Sequence, residues 1–325
     1  MLCIYNKNTN PYFNLACEEY ILKEFNEECF MLWRNSPCIV VGKNQNTLSE
    51  INKDYVDKNN ITIVRRLSGG GAVFHDLGNI NFTFISNQKE TFNDFKRFTV
   101  PIIDALKQLN VNAEFSGRND LTIDGKKFSG NAQYCYKNRV LHHGTLLFSA
   151  NVTDISQSLN VKEKKFEGKA VKSVKSRVTN ISSHLKSPMK VEEFIEFLMN
   201  YVVNNYAESK LYTLTEEDIK NISKLADEKY STWEWNYGSS PKYSYKNEMK
   251  CKGGLIEFNC NIEKGYIKDA KFFGDFFGIY DVSDIETTLK GTKYTEDAVR
   301  NTLSKFNIEN YFSSISLEQI LKLMF

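Results

Sequence analysis

Residues 63–79, IVRRLSGGGAVFHDLGN, constrain this chain more than any other stretch. Three consecutive glycines have the freest backbone available to a protein, and ordering them costs conformational entropy. They lie between a β-branched segment, residues 61–66, and the segment INFTFI, in which Ile80, Phe82 and Phe84 alternate on one face as in a strand. A glycine run between two strands lets backbone N–H groups converge on an anion at close range. Arg65 and Arg66 just before it add bidentate phosphate donors. Ala72, Val73 and Phe74 just after it add an apolar wall. The pattern predicts a ligand with both a phosphate and an apolar part.

Two familiar phosphate loops are excluded. No Lys-Ser or Lys-Thr follows the glycines, and neither the G-x-G-x-x-G spacing nor its helix is present. The rest of the chain reads as α+β. Residues 14–25 carry Leu15, Tyr20 or Leu22, and Phe25 at roughly helical intervals with polar Glu18 and Glu19 between them. Residues 91–109 read as an amphipathic helix through Phe92, Phe95, Phe98, Ile102, Leu106 and Leu109. Asp124-Gly125 predicts a two-residue hairpin turn, and a further strand follows in VLHHGTLLFSA. Strands joined by hairpins imply a mixed or antiparallel sheet. Residues 162–177, KEKKFEGKAVKSVKSR, are dense in lysine and read as a mobile basic loop. A Gly-Ser-Ser-Pro break after WEWNY marks a boundary near residue 245, dividing the chain into residues 1–245 and 246–325.

A net charge of only +2 removes a general electrostatic footprint for nucleic acid. Seven scattered cysteines without a C-x-x-C pair read as reduced thiols, and the four histidines have no zinc-ligand spacing. No apolar run approaches a membrane span, and the N-terminus lacks a signal-peptide pattern. A monomeric cytoplasmic protein is the expectation.

Six stretches, in order, carry a resemblance: NPYFNLACEEY, VGKNQN, RRLSGGGAVFHDLGN, GRNDLTIDGKKFSGNAQ, HHGTLLF and VKSVKSRVTNI. Together they resemble the lipoate–protein ligases of the biotin/lipoate ligase superfamily, in the long form with a C-terminal accessory domain. The match is close from residue 10 to about 185 and looser beyond. The resemblance implies an α+β fold built on a mixed or antiparallel sheet, with a small α/β accessory domain. It implies that ATP activates (R)-lipoate to lipoyl-AMP with release of pyrophosphate, in the presence of Mg2+. The lipoyl group then passes to a lysine of apo lipoyl domains, in 2-oxoacid dehydrogenase complexes or the glycine-cleavage H protein. Neither nucleic acid nor membrane is implied.

Carried over by motif, Arg66, Gly71, Ala72, Val73 and Phe74 are expected at the nucleotide and acyl chain, and Glu18 and Ser68 along the acyl pocket. Lys127 matches the family's K-x-S-G lysine. Chemistry supports it independently, because an ammonium between carboxyl and phosphate stabilises charge that grows in the transition state. Lys126 next to it is expected in solvent, since neighbouring side chains on a strand point to opposite faces. Asp120 is a candidate for magnesium or for orienting Lys127. Lys172, Lys175 and Arg177 are expected in a lid over the adenylate. His75 and Asp76 are expected to order the loop, and one of His142 and His143 to face inward, none of them catalytic. Leu67 stands where many relatives carry a small polar residue, which leaves the choice between octanoate and lipoate open. One alternative is a cysteine-dependent octanoyl or lipoyl transferase on the same scaffold, with Cys135 as nucleophile. Another is a non-catalytic lipoate-binding protein.

Overall fold

A computed structural model describes residues 1–151, 157–159, 177–237 and 245–325. Its centre is an eight-stranded sheet. Across it run β11 (Lys210–Leu211), β1 (Leu2–Asn6), β2 (Cys29–Trp33), β6 (Asn79–Ser86), β10 (Arg139–Leu147), β9 (Lys126–Tyr136), β8 (Asp120–Ile123) and β7 (Ala113–Ser116). β1 runs parallel to both neighbours and every other pairing is antiparallel, so the sheet is mixed as expected. A second sheet of three strands, β4 (Thr62–Arg65), β3 (Cys38–Val41) and β5 (Val73–His75), carries the glycine loop between β4 and β5. The hairpin at Asp124-Gly125 forms with φ of 51° and 73°, the left-handed pair that a tight two-residue turn requires.

One face of the large sheet packs Phe30, Phe82 and Phe128 against the helices Phe95–Gln108 and Val191–Asn205. The first of these begins later than its periodicity predicts. Asn93 takes φ 73° and Asp94 caps the helix by accepting from Arg97 N–H, so Phe92 is left outside it. On the other face lie the helix Pro11–Glu24 and the second sheet. That helix is capped by Asn10, whose side chain accepts from Tyr12 and Phe13, with Pro11 in the first turn. Glu18 and Glu19, the polar residues between the apolar positions of this helix, are both buried. Glu19 survives there because Lys23, Lys229 and Tyr230 donate to it at 2.6, 2.7 and 2.7 Å.

From residue 245 onward, β12 (Tyr245–Cys251), β13 (Gly254–Glu263) and β14 (Tyr266–Gly274) form a separate antiparallel sheet. Its own core, through Phe258, Phe272 and Phe312, is closed by the helices Ser283–Leu289, Glu296–Leu303 and Leu317–Met324. This unit rests against the glycine loop. Gly274 N–H donates to Asn44 O at 2.7 Å, and Lys43 pairs with Asp281 at 2.6 Å. Phe277 packs on Phe95 and Ala132.

Candidate active site

Both arginines of the loop are buried, and both are occupied. Arg65 donates to the carbonyls of Gly42, Lys43 and Gln45 at 2.8, 2.9 and 2.8 Å, to Thr47 Oγ1 at 2.6 Å and to the carbonyls of Trp235 and Asn236. Its expected role as a phosphate donor is therefore corrected: its N–H groups hold the 42–47 turn. Arg66 donates to Gly69 O at 2.7 Å, Gly71 O at 2.8 Å, Val40 O at 3.1 Å and Ser68 Oγ at 3.0 Å, so it frames the loop from within while also lining the cleft described below. Burial lowers both guanidinium pKa values to about 10, which leaves them charged at neutral pH.

The glycines also answer to the protein itself. A Cβ on Gly69 would stand 2.2 Å from the carbonyl oxygen of Phe276, and one on Gly42 2.1 Å from that of Gly70. Gly70 itself has φ +91°. Part of the backbone freedom read from the sequence as serving a ligand therefore serves packing against the C-terminal unit.

Between the loop and the large sheet lies a cleft of about 650 Å³, partly open to solvent. A row of residues crosses the sheet beneath it. Trp33 pairs with Asn81, Asn81 with Thr145, and Gly130 with Asp120, while Gly130 N–H donates to Thr145 Oγ1 at 3.1 Å. Lys127 lies at the Asp120 end, its Nζ 2.7 Å from Asp120 Oδ1 and 3.0 Å from where a Gly130 Cβ would be. A second cleft of about 600 Å³ opens beyond it, bordered by Phe74, Leu147, Leu159 and Val178. Ala72, Val73, Lys127, Gly130 and Thr145 border both clefts. Lys127 thus stands where a group filling one cleft meets a group filling the other.

Strict alternation would not have put it there. Ala132 and Gly130 line the cleft, so counting in twos gives Phe128 and Lys126 that face and sends Lys127 into the core. A β-bulge intervenes: Leu121 pairs with Ser129 and Thr122 with Lys127, skipping Phe128. Phe128 is consequently buried in the apolar core, Lys127 reaches the cleft and Lys126 is exposed. The backbone of Lys127 is held instead by residues 177–179, its N–H donating to Arg177 O at 2.8 Å and its carbonyl accepting from Thr179 at 2.9 Å.

Three histidines are fixed around the row. His143 Nδ1 meets Glu18 Oε1 at 2.9 Å and its Nε2 meets Ser68 Oγ at 2.6 Å, while Thr83 Oγ1 donates to the same carboxylate at 2.6 Å. Glu18 and Ser68 do not line the cleft. They hold His143, which does line it. His142 and His143 are both buried, contrary to the expectation for one of them, because each face of β10 is covered. His142 stacks on Phe98 at 4.9 Å and meets Gln133 and Asn131. Burial drives its pKa well down, with the nearby His143 adding to the effect. His75 lines the cleft and is held through Nδ1 by Asn35 at 3.1 Å. Asp76 accepts from Gly78 and Asn151 N–H, closing the turn after it.

Other expected residues fall as follows. Val73 lines the first cleft, but Phe74 on the opposite side of β5 packs with Ile39, Val41 and Ile63 and reaches only the second. Leu67 lies in the core beneath the helix Pro11–Glu24 and does not border the first cleft. Cys135 is buried, borders neither cleft, and has its thiol pKa raised by burial, the wrong direction for a nucleophile. Arg177 contributes its backbone to Lys127, whereas Lys172 and Lys175 lie outside the described residues. Among the described residues no three His, Cys, Asp or Glu side chains cluster as a metal site. Sequence reasoning missed Trp33, Asn81, Asn119 and Thr145. A signal for Asn81 existed: Asn79, Asn81 and Thr83 interrupt a strand whose eight residues are all buried.

Residues 10–203 match the lipoyl protein ligase A/B catalytic domain, and residues 240–324 match the bacterial lipoate protein ligase C-terminus. The chain is 45% identical over 331 residues to the lipoate-protein ligase LplJ of Bacillus subtilis, covering 100% of both chains. The structure superposes on LipL1 of P. falciparum in complex with lipoate, with a TM-score of 0.80, 28% identity and 94% of each chain covered. A lipoate-protein ligase A bound with ATP aligns with a TM-score of 0.63 and 25% identity, over 73% of this chain and 98% of that one.

Proposed function

The chain belongs to the lipoate–protein ligase family, and from that premise we propose that it forms lipoyl-AMP across the two joined clefts and delivers the lipoyl group to a lysine of an apo lipoyl domain. Activation of lipoate by ATP is the family's reaction. The position of Lys127 at the border shared by both clefts is the observation that supports this assignment of the site.

The acyl chain occupies the first cleft, along the row from Trp33 to Gly130, with its carboxylate toward Lys127. The nucleotide occupies the second, against Ala72, Val73 and Phe74. A carboxylate oxygen attacks the α-phosphorus, a C–O–P linkage forms, and the bond to pyrophosphate breaks. Lys127 lies beside both the carboxyl and the phosphate, so its ammonium opposes the charge that accumulates as they join. Asp120 holds that ammonium in place at 2.7 Å. Arg66 keeps the loop carbonyls turned inward, which leaves loop N–H groups for the phosphate. In the second half-reaction the acceptor amine attacks the carbonyl carbon, the bond to AMP breaks, and the amine gives up a proton.

Magnesium, when bound with the triphosphate, would neutralise phosphate charge, and Asp120, beside Lys127 at the border of the clefts, would be a carboxylate to hold it, since such ions use one or two carboxylates together with phosphates and water. Residues 246–325 form the accessory domain in this reading, and the protein works as a cytoplasmic monomer. The structure has no helix long and apolar enough to cross a membrane among the described residues. Incubation with ATP, magnesium and lipoate should release pyrophosphate and label an apo lipoyl domain. Equal labelling from an acyl-carrier thioester without ATP would overturn the reading.

A further inference from the structure

We propose that Arg118 is a positioning residue for the reaction: it fastens the turn that carries Asp120 to the C-terminal unit, so that the seat of that unit governs where Lys127 points. The inference rests on the lipoate-ligase reading and concerns how the same site is held in register.

The ion pair at the border of the two clefts does not support itself. Lys127 ends in a long flexible stem, Asp120 meets it at 2.7 Å, and both side chains are more than one-third exposed. An ion pair that open holds its geometry weakly. The orientation of the ammonium therefore depends on how firmly the backbone presents the carboxylate. Asp120 opens β8, one strand in from the edge of the eight-stranded sheet, directly after the turn of residues 117–119. A Cβ on Gly117 in that turn would meet nothing within 4 Å, so no packing holds the turn from that side.

Three consecutive residues hold it instead. Asn119 lines the first cleft and is tied to β9, its carbonyl accepting from Asn131 N–H at 2.9 Å and from Asn131 Nδ2 at 3.0 Å. Asp120 holds Lys127. Arg118 reaches the C-terminal unit, where its guanidinium stands 4.9 Å from the centroid of the Phe277 ring and its Nη1 donates to Gly253 O. A planar guanidinium suits this double task, because it stacks on a ring face while donating in its own plane. Both of its partners are fixed. Phe277 is 2% exposed and packs on Phe95 and Ala132. Gly253 lies so close to Ser313 that a Cβ would stand 2.1 Å from the Ser313 carbonyl oxygen. Arg118 itself is exposed, so its head group can be exchanged without opening a cavity in either core. Contacts of this strength bias an orientation by about 2–5-fold rather than dictate it.

The test measures pyrophosphate release from ATP and lipoate by the full-length protein, together with hydrogen exchange of residues 119–131 without substrate. Arg118→Met should lower kcat by ~5-fold with the KM for lipoate nearly unchanged. It should also speed exchange in that segment, where Asn119 holds the Asn131 amide. Arg118→Lys keeps a cation and a donor and should restore most of both. Added to Asp120→Asn, Arg118→Met should cost little further, because the carboxylate it positions is already gone; a merely structural defect would multiply the two losses. A wild-type kcat in Arg118→Met, or the same fold-loss in both backgrounds, overturns the inference and leaves the ligase reading intact. If the wild type releases no pyrophosphate, the ligase reading fails, and the exchange comparison alone decides whether Arg118 fastens the turn.

Discussion

Lys127 Nζ and Asp120 Oδ1 stand 2.7 Å apart on neighbouring strands, with both side chains more than one-third exposed. An ion pair that open contributes little to stability, about 0–1 kcal/mol, so its value lies in orientation. Lys127→Ala should lower the rate of pyrophosphate release by roughly 10²–10³-fold while the thermal midpoint moves little. Asp120→Asn should leave a smaller loss, ~10-fold, dominated by the kcat of activation. A Lys127→Ala protein that forms adenylate at a near-normal rate removes Lys127 from its role.

Stability should fall on mild acidification. The folded pKa of His75 is depressed to about 3, first by burial and then by Arg66 and His143, from an ordinary 6.5. Between those values the unfolded chain binds a proton that the folded chain refuses, so the folded state loses ground as pH drops below about 6.5. At pH 5 the loss from His75 is about 1.5 × 1.36, or ~2 kcal/mol, and His142 acts in the same direction. Urea unfolding at pH 7 and pH 5 reads this directly. A stability that is flat or rises over that interval refutes the buried neutral rings.

Ser68→Ala removes the hydroxyl that joins Arg66 Nε to His143 Nε2. Two buried groups lose a partner, at a cost of about 1–3 kcal/mol, and His143 loses its fixed place in the cleft. The expected result is a lower unfolding free energy together with a raised KM for lipoate. Wild-type values for both would show that the serine is merely packed there.

Gly69→Ala should destabilise the contact with the C-terminal unit, because the new methyl meets the Phe276 carbonyl at 2.2 Å. Overpacking of this kind costs about 1–3 kcal/mol. Gly117→Ala is the control: it has φ +62° but nothing within 4 Å, so only backbone strain of about 1 kcal/mol is expected. Thermal midpoints that rank the two variants the other way contradict the close approach.

Cys135→Ser should retain ligase activity, since the thiol borders neither cleft. An inactive but folded variant, assayed for label transfer, would restore the thioester transferase as the better account.

Much of this site could be read in the chain because its pieces are local. The hairpin at Asp124-Gly125 and the alternation of Ile80, Phe82 and Phe84 follow from neighbours in sequence, and both formed as expected. What stayed hidden depends on partners far away. Arg65 looks like a phosphate ligand until the 42–47 turn claims its donors. Glu18 looks like pocket lining until His143, 125 residues later, is seen to stand in front of it. Lys127 was singled out by motif and chemistry, yet the bulge that turns it toward the cleft leaves no mark in a two-residue periodicity. The residues of the far wall, Trp33 and Asn81, meet only through strand pairing.

The close fit of Phe276 on Gly69 makes one stretch of backbone a shared wall. Gly70 borders the cleft on one side and Phe277 on the other. Anything bound in the cleft that stiffens this wall also strengthens the seat of the C-terminal unit, and by reciprocity a well-seated unit raises affinity for the occupant by the same factor. If the wall carries that coupling, acid binding should be weaker in a chain truncated after residue 237 than in the whole protein, even though no residue beyond 237 borders the first cleft among the described residues.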